Sequence, residues 1–168
     1  SANLIYISDP SAYTNDDAIP NTINYITRHN DENIFYYGNW PPTPNSAIEL
    51  FKHLRSHLSL TKRYEYRQQL QHFWITFDSS SAPDFINTFA NDIALIFAPL
   101  FPICLATHDK IYHPHTHFVV STTSILPSQK PLIGKVWDNY LAQVCELALT
   151  RYDIHLTVKP KTNTVIQK

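Results

Sequence analysis

The chain has 168 residues, of which 43% are hydrophobic and 13% aromatic, and its formal net charge is −1. This composition predicts a single folded domain with a sizeable core and excludes an intrinsically disordered chain. No apolar run approaches the ~18 residues of a membrane-spanning helix, so we expect a soluble protein without membrane insertion. Cys104 and Cys145 lie in apolar contexts, which favours buried free thiols in a reducing cytosol over a disulfide.

Charge is unevenly distributed along the first half of the chain. Residues 1–50 contain six acidic residues against Arg28, a net charge of −5, whereas residues 51–69 contain five basic residues against Glu65, a net charge of +4. Such a basic stretch can contact phosphates on an otherwise neutral domain, and an ordinary solvated helix face is the alternative. Its basic residues are Lys52, Arg55, Lys62, Arg63 and Arg67.

Taken in chain order, hydrophobic periodicity and turn residues predict five strands and four helices. The predicted strands are Asn3–Ser8, Gln71–Asp78, Leu100–Thr107, a run that starts at His115, and Ile154–Lys159. The predicted helices are Ala18–His29, Ser46–Leu60, Pro83–Phe97 and Gly134–Asp153. The proline-rich segment Asn30–Asn45 predicts an irregular loop, and Thr61–Gln69 predicts a polar, basic connector. A central strand hairpin with helices between the other strands predicts an α+β sandwich around a mainly antiparallel sheet.

Three side-chain patterns in these helices predict specific contacts. Ser46 and Glu49 match a capping box at the start of the second helix. In the first helix Ile19, Ile23 and Ile26 are spaced to face the core, which leaves Tyr25 beside the apolar stripe, where its hydroxyl can reach a cleft. In the last helix the residues that we expect to be buried are Val136, Tyr140, Val144 and Leu147.

The stretch from Thr107 to Ser121 contains four of the nine histidines. His115 and His117 are two residues apart at the start of a strand, so they project from the same face. The preceding strand ends on His108, and if the two strands pair antiparallel, His108 lies beside His115. Three imidazoles would then converge on one point, as they commonly do in transition-metal sites; surface or core histidines are the alternative. We expect His113, in the linker between the strands, to be solvated.

This stretch resembles the third motif of the HUH endonucleases, in particular the conjugative relaxases of the mobilisation (MOBP-like) group. Their pattern is a histidine, a short acidic loop and then His-hydrophobic-His, and here His115 and His117 follow His108 by seven and nine residues. The chain departs from the pattern at Thr116, Asp109 and Ser121. The resemblance extends from the first strand to about Thr123. It implies an HUH-like sandwich with the histidines on central strands, in a relaxase domain covering residues 1–168 at the N-terminal end of a longer protein.

The resemblance also implies a tyrosine nucleophile that attacks single-stranded DNA and forms a 5′-phosphotyrosine link. Relaxases carry this tyrosine upstream of the histidines, in a context that matches N-T-I-N-Y-I-T at Tyr25, with Tyr36 or Tyr37 as the second choice. Replication initiators and single-tyrosine transposases of the same superfamily carry it downstream, where Tyr140 and Tyr152 are the candidates. Neither of these is followed by a lysine three residues later. A tyrosine packed at the edge of the core is the alternative for Tyr25.

Cofactor and partners follow from the same resemblance. It implies metal binding by His108, His115 and His117, with Mn²⁺ or Mg²⁺ acting on a phosphate, whereas imidazole ligands alone also suit Zn²⁺. The implied substrate is single-stranded or hairpin origin-of-transfer DNA, contacted by Arg28 and the basic stretch. Accessory proteins and a type IV secretion coupling protein are the expected partners, in the bacterial cytoplasm.

Four alternatives stay open at this point. The first is an HUH replication initiator or transposase. The second is a zinc hydrolase or lyase, with His108 or His155 as the third ligand. The third is a cupin-type oxygenase, which two glycines disfavour. The fourth is a DNA-binding domain without catalysis.

Overall fold

The structure, a computed structural model, describes residues 2–28, 33–37, 43–61, 66–78, 80–108 and 113–162. These residues form six strands and four helices. The strands are β1 (Ala2–Ile7), β2 (Asn33–Tyr37), β3 (Leu70–Thr76), β4 (Ile103–His108), β5 (His115–Ser121) and β6 (Leu156–Lys161). The helices are α1 (Ala18–Ile26), α2 (Pro44–Thr61), α3 (Pro83–Phe97) and α4 (Gly134–Tyr152). None of the helices in these ranges combines the length and apolar character needed to cross a membrane.

All six strands belong to one sheet, in the order β2-β4-β5-β3-β1-β6. Every neighbouring pair is antiparallel except β1 and β6, which are parallel. The predicted α+β class and the mainly antiparallel sheet are therefore confirmed. The hairpin of β4 and β5 lies in the interior of the sheet, where strand pairing on both sides holds the histidines in a defined register.

The helices cover the two faces of the sheet as separate layers. Helices α1 and α2 pack on one face through Ile19, Ile23 and Phe51, and α3 and α4 pack on the other through Phe89 and Trp137. Because side chains alternate along a strand, Val119 of β5 faces the first layer while Phe118 and Val120 face the second. His115 and His117 share the parity of Val119. The histidine site therefore lies on the face covered by α1 and α2.

Several predicted elements agree closely with the structure. Helix α3 has the predicted bounds, with Pro83 in its first turn. Ile19, Ile23 and Ile26 are buried as expected. Both cysteines are free, with Cys104 buried and Cys145 half-buried.

The segment after α1 differs from the prediction. Helix α1 ends at Ile26, and Thr27 caps it by donating its N–H and its hydroxyl to the carbonyl of Ile23 (3.1 and 2.7 Å). Residues 33–37, predicted as part of an irregular loop, form strand β2 along the open side of β4, where Tyr37 pairs with Ile103. The irregular loop was predicted because prolines follow these residues in the sequence. Their extended conformation is instead determined by pairing with β4, which is distant in the chain. His29, the predicted last residue of the first helix, lies outside the described residues.

The two longer helices also differ in detail. Helix α2 begins at Pro44, and its cap is the Thr43 hydroxyl, which accepts the N–H of Ser46 (3.1 Å); the Ser46–Glu49 capping box was wrong. Helix α4 buries a stripe rotated from the predicted one, with only Val144 in common. The rotation places the Trp137 indole among Tyr6, Phe73 and Phe97, at centroid distances of 6.5, 5.7 and 6.2 Å. The buried residues of this helix are Trp137, Leu141, Val144 and Ala148.

Candidate functional site

The structure brings His108, His115 and His117 together at one end of the β4–β5 hairpin. His108 and His115 are opposite each other in the antiparallel register, and His117 lies two residues further along β5 on the same face. Ring centroids are 5.0 Å apart for His108 and His115, 4.9 Å for His108 and His117, and 5.0 Å for His115 and His117. One potential ligand atom of each ring lies within 4.8 Å of the other two, close enough to bind one metal ion. The predicted convergence of the three histidines is therefore confirmed.

Backbone carbonyls orient two of the three rings. Nε2 of His108 donates to the carbonyl of Ile26 at the end of α1, and Nδ1 of His115 donates to the carbonyl of His113, both at 2.9 Å. Because a carbonyl only accepts, these nitrogens carry the protons, and the opposite ring nitrogens are suited to coordinate a metal. Metal-binding histidines are usually oriented by such bonds. The carbonyl end of α1, which carries partial negative charge, also favours a cation here.

Burial and basic neighbours keep His117 neutral. Its exposed fraction is 5%, and burial lowers its pKa well below the usual value. His72, His115, His108 and Arg28 lower this pKa further, and of these four neighbours Arg28 carries a permanent positive charge. A neutral imidazole is the form that binds metals. A cation held by three neutral imidazoles keeps its full charge, so the site is suited to an anionic ligand.

Tyr25 and Arg28, at the end of α1, complete the site on its α1 side. The Tyr25 ring is edge-on to that of His117, with centroids 6.2 Å apart and an interplanar angle of 88°. The Arg28 guanidinium carbon lies 4.0 Å from the centre of the Tyr25 ring, and the guanidinium donates to the Tyr25 carbonyl. Tyr25 is half-buried and Arg28 exposed. The last turn of α1 and the residues just after it thus place a phenol edge-on to His117 and a guanidinium over that phenol.

The downstream tyrosines lie on the other side of the sheet. Tyr140 stacks on Phe97 at a centroid distance of 5.1 Å, and the Tyr152 hydroxyl donates to Asp92. Burial raises the pKa of Tyr140, and burial together with the bond to Asp92 raises the pKa of Tyr152 to about 12. Both tyrosines pack with the layer of α3 and α4, so neither reaches the histidine cluster. The side chains of Tyr36 and Tyr37 lie outside the described residues.

Three residues of the basic stretch line one cavity of about 450 Å³ beside α2. Lys52 and Arg67 are exposed, while Arg55 is half-buried and stacks on the Tyr66 ring, 4.6 Å from its centre. A second cavity, of about 340 Å³, is lined by His53, His57 and Tyr66 among other residues. Lys62 and Arg63 lie outside the described residues.

The two other histidines considered in the sequence analysis, His155 and His113, contribute no ring nitrogen to the cluster. His155 is exposed beside β6, which β3 and β1 separate from β5. The third histidine of the cluster is therefore His108. His113 is exposed, as predicted.

Two residues near the cluster were missed by the sequence analysis. His72 of β3 lies with one ring nitrogen 2.9 Å from His117 Nδ1 and the other 2.8 Å from the hydroxyl of Tyr13. Because side chains alternate along β3, His72 lies on the same face of the sheet as Leu70 and Trp74. Only the β3–β5 register, in which His72 is opposite Val119, makes it a diagonal neighbour of His117. Tyr13 lies in a turn, and nothing in the sequence around it indicates a contact with His72.

Comparisons with protein-family models, with curated proteins and with solved structures give no match to this chain. The fold and the site together define an α+β protein with a three-histidine candidate metal site, whose function is inferred from its own residues.

Proposed function

We propose that this chain is the catalytic domain of an HUH-type relaxase, a metal-dependent transesterase that nicks single-stranded DNA. The observation that carries the proposal is the position of Tyr25, edge-on to His117 beside the three-histidine cluster. The sequence motif and the hairpin geometry select the same histidines, and the ring of the candidate upstream tyrosine lies edge-on to one of them, His117.

In the proposed reaction, the Tyr25 hydroxyl oxygen bonds to the scissile phosphorus while the bond from phosphorus to the 3′ oxygen breaks. The phenolic proton is lost, and the leaving oxygen takes up a proton to give a free 3′-OH. A phenol has a pKa of about 10 in water, so the attack requires assistance. A divalent cation held by His108, His115 and His117 would stabilise charge that develops on the phosphate oxygens. Arg28 is placed to orient the Tyr25 ring and to attract the phosphate.

The electrostatics of the site favour a phosphodiester over the substrate of a zinc hydrolase. A hydrolase that activates water needs a general base, commonly a carboxylate. The groups that act on the pKa of His117 within the described part of the chain include no carboxylate, and one of them, Arg28, is a permanent cation, which suits an anionic substrate. Mn²⁺ is the metal we favour, because it accepts both imidazole nitrogens and phosphate oxygens; Mg²⁺ and Zn²⁺ are the alternatives.

The proposed path of the DNA runs from the histidine site along the face covered by α1 and α2. Lys52 and Arg67 would contact phosphates, and the rings of His53, His57 and Tyr66 offer surfaces on which unpaired bases can stack. The proposed substrate is origin-of-transfer DNA. The proposed partners are accessory proteins and a type IV secretion coupling protein, in the bacterial cytoplasm.

The direct test uses a pool of randomised single-stranded oligonucleotides with Mn²⁺. A 5′-phosphotyrosine link attaches the downstream fragment to the protein, so a 3′ fluorophore should migrate with the protein in denaturant. A 5′ fluorophore should instead appear on a free fragment ending in a 3′-OH. Sequencing the attached strands would identify the preferred site. Cleavage that leaves neither fragment on the protein would indicate a hydrolase, and binding without cleavage a DNA-binding domain.

The cavity lined by Lys52, Arg55 and Arg67 gives a separate prediction about DNA affinity. Replacing Lys52 and Arg67 with glutamine should weaken single-stranded DNA binding uniformly across sequences, because phosphate contacts carry no sequence information. For every phosphate that is no longer neutralised, the slope of log K against log salt should become shallower by about 0.7, measured by fluorescence anisotropy. Lys135→Gln is the matched control, since Lys135 is exposed on α4 across the sheet. An unchanged slope in the double variant would make the cavity an ordinary solvated surface.

A further inference from the structure

A buried chain of hydrogen bonds extends from His117 away from the proposed metal position. His117 Nδ1 is 2.9 Å from His72 Nε2, and His72 Nδ1 is 2.8 Å from the Tyr13 hydroxyl. The exposed fractions are 5% for His117, 1% for His72 and 8% for Tyr13. Three polar side chains from three separate segments are thus buried and joined by hydrogen bonds. The proposed reaction uses only His117 among them.

The chain is held in place from both ends. On the β3 side, His72 is the diagonal cross-strand neighbour of His117, and Trp74 packs against both rings at 5.3 and 5.6 Å. On the loop side, Tyr13 adopts a left-handed backbone conformation with φ of 59°. This conformation is strained for a non-glycine residue, and such residues cluster at functional sites. The loop therefore accepts strain at the residue whose hydroxyl reaches His72.

All three side chains are almost fully buried, and burial favours the neutral form of an imidazole and of a phenol. A neutral imidazole has one N–H donor and one acceptor nitrogen, so the chain can run in only two directions. If Tyr13 donates to His72 and His72 donates to His117, then His117 carries its proton on Nε2 and cannot coordinate a metal there. If His117 donates to His72 and His72 donates to Tyr13, Nε2 of His117 holds a lone pair.

We infer that His72 and Tyr13 are positioning residues that hold His117 in the Nδ1-protonated tautomer and thereby set the metal affinity of the three-histidine site. This inference rests on the metal binding in the proposed function, and it assigns His117 the kind of orienting partner that Ile26 and His113 provide for the other two histidines. A backbone carbonyl only accepts, so by itself it fixes the tautomer of the histidine that donates to it. His72 can accept from His117 only if its own Nδ1 proton is donated to the Tyr13 hydroxyl.

The test measures the Kd for Mn²⁺ by isothermal titration calorimetry. His72→Phe keeps a ring but removes both nitrogens, and it should raise the Kd about 10- to 100-fold, the usual effect of losing an orienting partner. Tyr13→Phe removes one hydroxyl and should raise it about fivefold, the equivalent of one neutral hydrogen bond. His72→Gln should stay closest to the wild type, because its amide oxygen can accept from His117 while its N–H donates to Tyr13. Tyr140→Phe is the matched control: it also removes a tyrosine hydroxyl, but from a half-buried ring on the opposite face of the sheet, and it should leave the Kd unchanged.

A second readout determines the tautomers directly. In Zn²⁺-loaded protein, ¹⁵N-detected imidazole spectra should show His117 and His72 both protonated on Nδ1. A proton on His72 Nε2 in the loaded protein would overturn the inference, as would a wild-type Kd in folded His72→Phe. Should His72→Phe not fold, Tyr13→Phe decides, and an unchanged Kd there overturns the inference. Wild-type protein that binds Mn²⁺ but leaves DNA uncut would contradict the proposed function alone, whereas wild-type protein that binds no Mn²⁺ would overturn both.

Discussion

Replacing Tyr25 with phenylalanine should abolish the covalent protein–DNA adduct while leaving DNA affinity within about twofold of the wild type. The substitution removes only the hydroxyl, so the ring keeps its edge-on contact with His117 and its position under the Arg28 guanidinium. The variant has no nucleophile, but the fold and the positively charged surroundings are retained. Adduct formation is measured on denaturing gels with the 3′-labelled oligonucleotide, and affinity by anisotropy.

The matched control for this substitution is Tyr140→Phe. Tyr140 is also half-buried against aromatic neighbours, but it stacks on Phe97 on the opposite face of the sheet. It should form the adduct at the wild-type rate. The reverse result, with adduct formed by Tyr25→Phe and not by Tyr140→Phe, would mean that the chain has the motif order of initiators or transposases and that the relaxase proposal is wrong.

Removing one histidine of the cluster should abolish both metal binding and cleavage. His115→Ala is the cleaner variant because His115 is only half-buried, and its loss leaves two imidazoles to hold the ion. We expect the cleavage rate to fall about a thousandfold or more, since the metal contributes several kcal/mol of charge stabilisation in the transition state. His117→Ala should have the same effect on the rate, together with some loss of stability from a buried cavity. Rates are measured in oligonucleotide cleavage and binding by calorimetry with Mn²⁺.

His113→Ala provides the control for this experiment. His113 is exposed, and it acts on the cluster through the backbone carbonyl that accepts from His115, which alanine retains. This variant should therefore cleave and bind metal as the wild type does. Chelation of wild-type protein should reproduce the His115→Ala result, and added Mn²⁺ or Mg²⁺ should restore cleavage. Cleavage that continues at full rate in chelator would remove the metal from the mechanism.

The two substitutions separate the candidate functions. A hydrolase with the same three ligands would lose activity in His115→Ala. It would not use the Tyr25 hydroxyl as a nucleophile, so it would form no adduct and would keep its activity in Tyr25→Phe. A DNA-binding domain with the same fold would retain affinity in both variants and cleave with neither. The relaxase proposal requires sensitivity to both.

Local sequence was sufficient to predict the elements whose stability depends on near neighbours. Helix α3 begins at Pro83 and repeats its apolar side chains at helical spacing, so its bounds could be predicted. The β4–β5 hairpin has only a short linker between its strands, and the placement of His108 opposite His115 follows from alternation and antiparallel pairing. The metal-site candidate was therefore predictable, because two sequence-adjacent strands position all three of its histidines.

Only the tertiary structure decided the features that depend on distant partners. Strand β2 forms by pairing with β4, and the α4 stripe is rotated because Trp137 finds a pocket among rings of β1, β3 and α3. Tyr25 meets His117 because the end of α1 bonds to His108, 82 positions away in the chain. The line from His117 through His72 to Tyr13 joins residues separated by 45 and 59 positions. No periodicity in the sequence encodes such a register, since it arises from the pairing of β3 with β5 and from the packing of the loop onto that face.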